Sequence, residues 1–262
     1  MQTIVITGST RGIGRGLAQA FLERGCRVVI SGRNQTAVDR AVEEFAAQFT
    51  TEKVMGMVCD VSRPEDVQAL WDQAKLRFGR IDIWINNAGA AHRLMDLWTI
   101  PPEEMSAIVT ANILGTLHGV RTAVAGMTVQ GYGTLYNMEG FGSNGRTMKG
   151  LSLYGMTKAA IHYLDKALVQ ELAGKPIRFG TINPGMVITD MLLQQNAGSA
   201  ADWERSKRVF NILADTVETA SSEIAAHILS SQANPDPIQR LNGFKVMLRF
   251  LKSPFVKRTL IK

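Results

Sequence analysis

Short runs of β-branched and apolar residues alternate with helical patterns along the whole chain. Strands are predicted at about 2–7, 27–31, 54–59, 81–85, 133–138 and 177–182. Helices are predicted between and after them, near 12–24, 35–49, 64–78, 103–129, 152–174 and 216–231. Strands that alternate with helices form parallel sheets covered on both faces. The pattern therefore predicts an α/β fold, with one doubly wound parallel sheet in a single domain over residues 1–262.

The basic charge of the chain is concentrated near its end. The sequence has 29 Lys and Arg against 23 Asp and Glu. From position 240 onward it contains no acid and seven basic residues, namely Arg240, Lys245, Arg249, Lys252, Lys257, Arg258 and Lys262. Removing these seven from 29 leaves 22 basic against 23 acidic residues. A body without net charge argues against a nucleic-acid-binding face, and no nucleic-acid partner is expected.

The sequence has few features that indicate a cellular location. Met1 opens directly onto the first predicted strand, and no run approaches the roughly 18 apolar residues of a spanning helix. Cys26 and Cys59 lie beside predicted buried strands, where a thiol usually behaves as a small hydrophobe. We expect a soluble, cytoplasmic protein without a disulfide or a metal site.

The first predicted strand runs through a glycine-rich turn into an amphipathic helix. Residues 7–14 read Thr-Gly-Ser-Thr-Arg-Gly-Ile-Gly. Glycines here permit a tight turn and close approach of a pyrophosphate to the helix N-terminus, whereas a turn without this setting would be weak evidence. The segment predicts a dinucleotide cradle in a Rossmann-like sheet. Its predicted cofactor residues are Gly8, Ser9, Thr10, Arg11, Gly12, Ile13 and Gly14.

Tyr154 and Lys158 are four residues apart in a predicted helix, so they share one face. An ammonium group beside a phenol favours the phenolate, which would lower the tyrosine pKa toward working pH. Tyr154 could then exchange a proton with a carbonyl oxygen. The alternative is a chance pair on a solvated helix face.

The end of the second strand bears on the choice of cofactor. An acid there would bind the adenosine ribose hydroxyls and repel a 2′-phosphate, but residues 30–34 read Ile-Ser-Gly-Arg-Asn. Arg33 and Arg11 together offer two guanidinium groups to a phosphate. This favours NADPH/NADP+, the alternative being that Arg33 only stacks on adenine.

Several segments together resemble the short-chain dehydrogenase/reductase family over about residues 3–232. They are the Gly-x-x-x-Gly-x-Gly spacing from Gly8, Asp60 after the third strand, the Asn-Asn-Ala-Gly segment 86–89, Asn112, the Tyr-Gly-Met-Thr-Lys segment 154–158, and the Asn-Pro-Gly-Met-Val-Ile-Thr segment 183–189. The resemblance implies a nicotinamide-dependent oxidoreductase that forms a homodimer or homotetramer.

The same resemblance implies roles for individual residues. Tyr154 would handle the proton, Lys158 would also hold the nicotinamide ribose, and Asn112 would support a proton-relay water. Ile188 and Thr189 would meet the carboxamide. Further cofactor contacts are implied for Asp60, which would bind adenine, and for Val61, Asn87, Ala88, Gly89, Pro184 and Gly185.

The chain departs from the family at one catalytic position. Most relatives carry a serine thirteen residues before the tyrosine, where this chain has Phe141. The segment 136–146 reads Tyr-Asn-Met-Glu-Gly-Phe-Gly-Ser-Asn-Gly-Arg. Ser143 is the nearest hydroxyl on this loop and is our candidate for the serine role. Ser152 is a weaker candidate, and Ser143 could instead be structural.

The same loop, together with segments 81–89 and 209–219, resembles chlorophyll(ide) b reductases. That resemblance implies reduction of the 7-formyl group of chlorophyll(ide) b to 7-hydroxymethyl with NADPH. The alternative is a short-chain alcohol dehydrogenase or ketoreductase acting on another lipophilic aldehyde, ketone or alcohol. A nucleotide-binding regulator without catalysis is a third hypothesis, motivated by the displaced serine.

Residues 186–213, with a short helix near 201–213, are expected to form a substrate lid. Its apolar residues would suit a large flat ligand, or could simply pack on the domain; they are Met186, Met191, Leu192, Leu193, Trp203 and Phe210.

The tail, about residues 240–262, fits both a strand and a helix by its periodicity. The family architecture favours a strand near 243–248, followed from about 250 by a basic, apolar segment. Such a composition fits a peripheral membrane contact or packing on the domain.

Overall fold

The computed structural model describes residues 1–195, 200–253, 255 and 258–261, and its described strands form one parallel sheet. The order across the sheet is β3-β2-β1-β4-β5-β6-β7. The strands are β1 (Thr3–Ile6), β2 (Arg27–Gly32), β3 (Val54–Val58), β4 (Ile83–Asn86), β5 (Thr134–Met138), β6 (Arg178–Asn183) and β7 (Asp236–Gln239). The predicted doubly wound α/β fold is confirmed.

Helices connect the strands and cover both faces of the sheet. They are α1 (Gly12–Glu23), α2 (Gln35–Phe49), α3 (Pro64–Phe78), α4 (Pro102–Val109), α5 (Gly115–Gln130), α6 (Ser152–Glu171), α7 (Asp190–Gln195), α8 (Ala200–Leu213), α9 (Val217–Ser230) and α10 (Gly243–Lys252). The single helix predicted at 103–129 is two helices, because a π-helical turn at Thr110–Leu114 interrupts it.

The core has two layers, one on each face of the sheet. Ile4 and Ile6 point into a cluster with Phe21 of α1, whereas Val5 points into a cluster with Trp71 of α3. This alternation follows from the two-residue period of a strand. Because both faces are covered, the central strands are largely apolar, and many of their polar residues lie near the strand ends.

The strand expected near 243–248 is wrong, because these residues belong to α10. The side chain of Asn242 begins this helix by accepting a hydrogen bond from the Lys245 amide at 2.9 Å. The seventh described strand is instead Asp236–Gln239, which pairs with β6 at the edge of the described sheet. This strand is hard to predict from the sequence because it contains Pro237. Proline argues against a central strand but is tolerated on an edge strand.

The carboxylate of Asp215 binds three arginines of the tail. It accepts hydrogen bonds from Arg240 at 3.1 Å, from Arg249 at 2.9 Å and from Arg258 at 3.0 Å. Burial opposes ionisation of this carboxyl, but the arginines outweigh it, so the pKa of Asp215 lies below its ordinary value. Much of the tail's positive charge is therefore structural.

Among the described residues, no helix is long and apolar enough to cross a bilayer.

We expect Asp215→Asn to lower the free energy of unfolding by about 3 kcal/mol, because it leaves buried arginine charge without its carboxylate. Urea denaturation at neutral pH measures this change, with the exposed Asp72→Asn as the control. A depressed carboxyl pKa stabilises the fold above the unfolded-state pKa of about 3.9, and this contribution is lost on acidification. The difference between wild type and variant should therefore shrink at lower pH. Equal stability at pH 7 would contradict the structural role of Asp215.

Candidate active site

Two glycines of the first turn let the backbone segments at the end of β1 and β4 approach each other. Gly8 has φ +63°, and a Cβ there would lie 2.8 Å from the Ala88 Cα. A Cβ at Gly14 would lie 2.5 Å from the Gly8 carbonyl oxygen. No larger residue fits either place without displacing backbone. The N-terminus of α1 therefore stands open beside a bare backbone turn, as a bound pyrophosphate requires.

Two other predicted cofactor residues, Asn87 and Ser9, use their polar side chains to hold this turn in shape. The side-chain amide of Asn87 donates to the Thr7 carbonyl at 2.8 Å. The buried hydroxyl of Ser9 donates to the Ile6 carbonyl at 2.7 Å and accepts from the Ser31 amide at 2.9 Å. These bonds tie the turn to β2 and β4.

Two exposed arginines and a carboxylate lie toward the end of β2. Arg33 follows β2, and Arg11 stands at the N-cap of α1. Burial raises the pKa of Asp60, but hydrogen bonds from Ser62 and the charge of Arg33 outweigh this, so its pKa is lowered. Thr10 packs under this corner, because a Cβ at Gly32 would lie 2.9 Å from its Cγ2. Arg33 is thus close enough to Asp60 for the two charges to interact.

The side chains of Ile13 and Val61 pack into the protein. Ile13 packs against the core cluster around β1. Val61 is buried, and a Cβ at Gly115 would lie 2.6 Å from its Cγ2. Val61 is thus fully taken up by packing, whereas the Ile13 side chain is only partly buried.

Asn112 lies in the π-helical turn and joins two parts of the site. Its Oδ1 accepts from the Ala90 amide at 2.7 Å, and its Nδ2 donates to the Ala90 carbonyl at 2.9 Å. The same Nδ2 donates to Thr157 Oγ1 at 2.9 Å, and that hydroxyl donates to the Tyr154 carbonyl. A π-turn often marks a functional site. A Cβ at Gly89 would lie 3.2 Å from Asn112 Oδ1, so Gly89 lies against this amide.

Tyr154 and Lys158 lie together on the first turns of α6. The Lys158 Nζ is 5.9 Å from the centroid of the Tyr154 ring and donates to the Met138 carbonyl at 2.9 Å. Lysine does not produce the lowered tyrosine pKa that the spacing predicts: burial raises the pKa of Tyr154 to about 12. Burial also lowers the pKa of Lys158 to about 8, against the charges of Asp165 and Glu139. Near neutral pH the pair is therefore a neutral phenol beside an ammonium.

The loop after β5 lies directly on this helix, again through glycines. A Cβ at Gly140 would lie 2.7 Å from the Tyr154 hydroxyl oxygen. Gly142 has φ +100°, and a Cβ there would lie 2.5 Å from the Gly155 Cα. The Gly-x-Gly spacing thus brings the backbone against the tyrosine hydroxyl.

Ser143, the candidate for the serine role, is buried in this loop. Its hydroxyl donates to the Lys158 carbonyl at 3.3 Å and accepts from the Gly140 amide at 3.1 Å. It therefore fixes the loop on α6. Phe141, at the usual serine position, is exposed, and Ser152 is exposed at the start of α6.

Two buried carboxyl groups beside Lys158 were missed by sequence reasoning. Glu139 Oε1 lies 2.7 Å from His162 Nδ1. Asp165 accepts from Asn137 at 2.6 Å, and burial raises its pKa to about 7. A helical spacing signal existed, because positions 158, 162 and 165 share one face of α6.

The segment after β6 completes the edge of the site. Gly185 turns there with φ +73°, after Pro184, whose carbonyl accepts from Arg240 at 3.2 Å. The Ile188 amide donates to the Asp215 carbonyl at 2.9 Å. Thr189 Cγ2 lies 3.7 Å from the place a Gly12 Cβ would take. The structure thus brings Thr189 next to the glycine turn, with Ile188 held beside it.

The segment predicted to be a lid contains α7 and α8 on either side of residues 196–199, which lie outside the described residues. The carbonyl of Gln195 accepts from the Leu94 amide at 2.9 Å. Phe210 is buried and meets Trp203 edge-on at 6.4 Å between ring centroids. The intermediate exposure of Met186, Met191, Leu192 and Leu193 leaves part of this segment's apolar surface accessible.

The short chain dehydrogenase family matches residues 2–200 of this chain. A chloroplastic chlorophyll(ide) b reductase of Oryza sativa subsp. japonica is 36% identical over 94% of this chain and 73% of its own length. A probable chloroplastic chlorophyll(ide) b reductase of Arabidopsis thaliana is 31% identical over 96% of this chain. The chain spans about half, 53%, of the length of that Arabidopsis relative.

A solved structure shows the same architecture. The 3-ketoacyl-(acyl-carrier-protein) reductase of Brucella melitensis, complexed with NADH, superposes with a TM-score of 0.80 at 25% identity. The match covers 93% of this chain and 98% of that one. The family match and the relatives agree, so this chain belongs to the short-chain dehydrogenase/reductase family.

Proposed function

We propose that this chain is an NADPH-dependent carbonyl reductase that converts the 7-formyl group of chlorophyll(ide) b to 7-hydroxymethyl. The observation that carries the proposal is the loop of residues 139–143, whose glycines place its backbone on Tyr154. This acidic-Gly-x-Gly-Ser loop is the segment in which the chain departs from most of its family and resembles chlorophyll(ide) b reductases. The similarity to relatives of that name over more than nine-tenths of the chain supports it.

The proposed catalytic roles of Tyr154 and Lys158 follow from the protonation state of each side chain. A neutral phenol is the form of Tyr154 that can give a proton to a carbonyl oxygen, and burial keeps it neutral. The bound cofactor supplies the hydride. The substrate becomes an alcohol, and the tyrosinate that remains is stabilised by the ammonium of Lys158. Asn112 holds the start of α6 through Thr157. By resemblance to the family, we propose that it also supports a proton-relay water.

Ser143 is proposed as the hydroxyl that completes this site, because Phe141 occupies the usual serine position. Its contacts with the Lys158 carbonyl and the Gly140 amide hold the loop beside Tyr154. In a catalytic role, the single hydroxyl hydrogen of Ser143 would turn from the Lys158 carbonyl to the substrate oxygen. Ser152 is the alternative.

NADPH is proposed as the cofactor from the charge near β2. The glycine turn fits a pyrophosphate because a Cβ at Gly8 or Gly14 would fill the space. Arg33 and Arg11 are exposed and available to a 2′-phosphate, and no acid ends β2 to repel one. Asp60 would bind the adenine.

The lid and an exposed apolar turn after β4 favour a lipophilic substrate. Met186, Leu193 and Trp203 are partly accessible in the lid, and Leu97 and Trp98 are exposed beyond β4. Apolar side chains around a few polar groups are typical of sites for large apolar ligands. Residues 186–213 would close over such a ligand.

Assembly and location are proposed on resemblance. We propose a homodimer or homotetramer, and exposed Leu117 of α5 and Tyr163 of α6 offer apolar surface for it. Light scattering tests this. We propose a cytoplasmic location on the basis of the sequence, although the plant relatives are chloroplastic proteins.

We expect Tyr154→Phe to lower turnover by about 10²–10⁴-fold, because it removes the general acid and leaves the packing unchanged. NADPH binding, followed by fluorescence titration, should persist. Tyr163→Phe is the matched control, since Tyr163 is exposed on the same helix. Near-normal turnover of Tyr154→Phe would overturn the assignment.

Ser143→Ala should reduce turnover with little change in NADPH affinity, because it removes a hydroxyl beside Tyr154 without touching the glycine turn. Steady-state kinetics and cofactor titration separate the two effects. Ser152→Ala is made in parallel. If the rate of Ser143→Ala is unchanged and that of Ser152→Ala falls, Ser152 holds the role instead.

Arg33→Asp should shift the preference from NADPH toward NADH, since it replaces attraction to the 2′-phosphate with repulsion. The ratio of kcat/KM for the two cofactors measures the shift. Lys175→Asp makes the same charge change at the opposite, amino-terminal edge of the sheet and should leave the ratio unchanged. An unaltered ratio in Arg33→Asp would mean that other groups bind the phosphate.

The proposed reaction is tested with chlorophyllide b and NADPH, followed by absorbance of the pigment. We expect the spectrum to move to the 7-hydroxymethyl form, with one NADPH consumed per pigment. No pigment turnover beside rapid reduction of simple ketones would favour a ketoreductase instead. No NADPH oxidation with any of a panel of carbonyl compounds would favour a regulator without catalysis.

A further inference from the structure

Helix α10 is held to the protein along one side. Arg249 donates to the carboxylate of Asp215 at 2.9 Å and also to the Leu213 carbonyl. Val246, three residues before it, is partly buried on the same side. The Asn242 cap begins the helix, so its orientation on the domain is defined from its first turn.

The opposite side of α10 carries large apolar residues that no described part of the chain covers. Phe244, Met247 and Leu251 are 64%, 50% and 62% exposed. Their spacing of three and four residues places them in one line along the helix. Phe255, just beyond the helix, is 88% exposed. We call these four residues the apolar line of α10. Contiguous exposed apolar surface of this kind marks an interaction site.

The charged residues of the tail segment itself are all basic. Lys245 and Lys252 are exposed on α10, and the sequence has no Asp or Glu from Arg240 to its end. The arginines of this region differ from the lysines, because Arg249 and Arg258 bind Asp215. The two exposed lysines are thus not offset by acids of their own segment.

The apolar line and the exposed lysines together indicate which partner this face of α10 binds. In an antiparallel twofold contact through the apolar line, Lys245 and Lys252 of each α10 would face the lysines of the other copy, and like charges would repel. An apolar line flanked by lysines instead matches the boundary between acyl chains and anionic headgroups. A helix of ten residues is about 15 Å long, so it can lie on a bilayer but cannot span one.

We propose that α10 docks this protein peripherally on membranes that contain anionic lipids. Phe244, Met247 and Leu251 enter the headgroup boundary, while Lys245 and Lys252 contact lipid phosphates. The Arg249–Asp215 contact holds the helix so that its apolar line faces the membrane.

The test is sedimentation of the full-length protein with vesicles of phosphatidylcholine, with and without phosphatidylglycerol. We expect binding to the anionic vesicles at low salt, weaker binding as salt screens the lysines, and little binding to neutral vesicles. The triple variant Phe244→Ser, Met247→Ser, Leu251→Ser should lose about tenfold or more of the partitioning, since buried apolar area sets the binding strength. Lys245→Glu with Lys252→Glu should reduce binding to anionic vesicles only.

Leu76→Ser with Val129→Ser is the control, because these residues are at least as exposed as Phe244, Met247 and Leu251 and lie on α3 and α5, away from the tail. Circular dichroism confirms that each variant is folded. The proposal is overturned if the intact protein ignores anionic vesicles at low salt, if the triple variant binds as well as wild type, or if neutral vesicles bind equally. It is also overturned if the triple variant only dissociates an oligomer in light scattering. Because vesicle binding needs no turnover, this result is independent of the pigment assay.

Discussion

Backbone segments meet at the carboxyl edge of the sheet at distances that only glycine allows. Gly8 lies against Ala88, Gly14 lies against the Gly8 carbonyl, and Gly140 lies against the Tyr154 hydroxyl. Parallel strands end at the same edge, so the loops that follow them converge there. Close contact removes side chains from the places that a cofactor and a substrate need, and it fixes the polar groups that remain. The proposed reductase site depends on this packing more than on any single hydrogen bond.

The second feature of the site is a buried charge cluster behind the tyrosine. Lys158 is buried and would lose its proton readily, but Glu139 and Asp165 oppose that loss. The same burial keeps Tyr154 protonated. An ammonium beside a neutral phenol suits proton donation to a carbonyl, which is the direction of reduction. Glu139, held near His162, belongs to the loop that distinguishes this chain from most of its family. The departure from the family pattern therefore lies in the electrostatic surroundings of the lysine as well as in the missing serine.

Asp215 joins the end of the chain to the edge of this site. Its side chain binds arginines of the tail, and its main chain pairs with Met186 and Ile188 beside the glycine turn. Three of the seven basic residues that give the sequence its positive charge are thereby used inside the protein. The exposed lysines of α10 are left with an apolar surface beside them, which is why a lipid surface is a better partner for this segment than a nucleic acid.

The sequence by itself determined the α/β sheet, the glycine turn, the family and the segments that meet at the site, because strand and helix periods and glycine spacing are local properties. The tertiary structure decided what depends on neighbours far along the chain. Burial reversed the expected direction of the Tyr154 pKa, and the fold placed Glu139 and Asp165 beside Lys158. It also settled the tail, whose periodicity fits a strand or a helix: β7 takes the sheet edge with Pro237 in it, and Asp215 draws Arg249 of α10 onto the domain. Periodicity records which face of an element is apolar, whereas only the packed chain shows what that face and its charges meet.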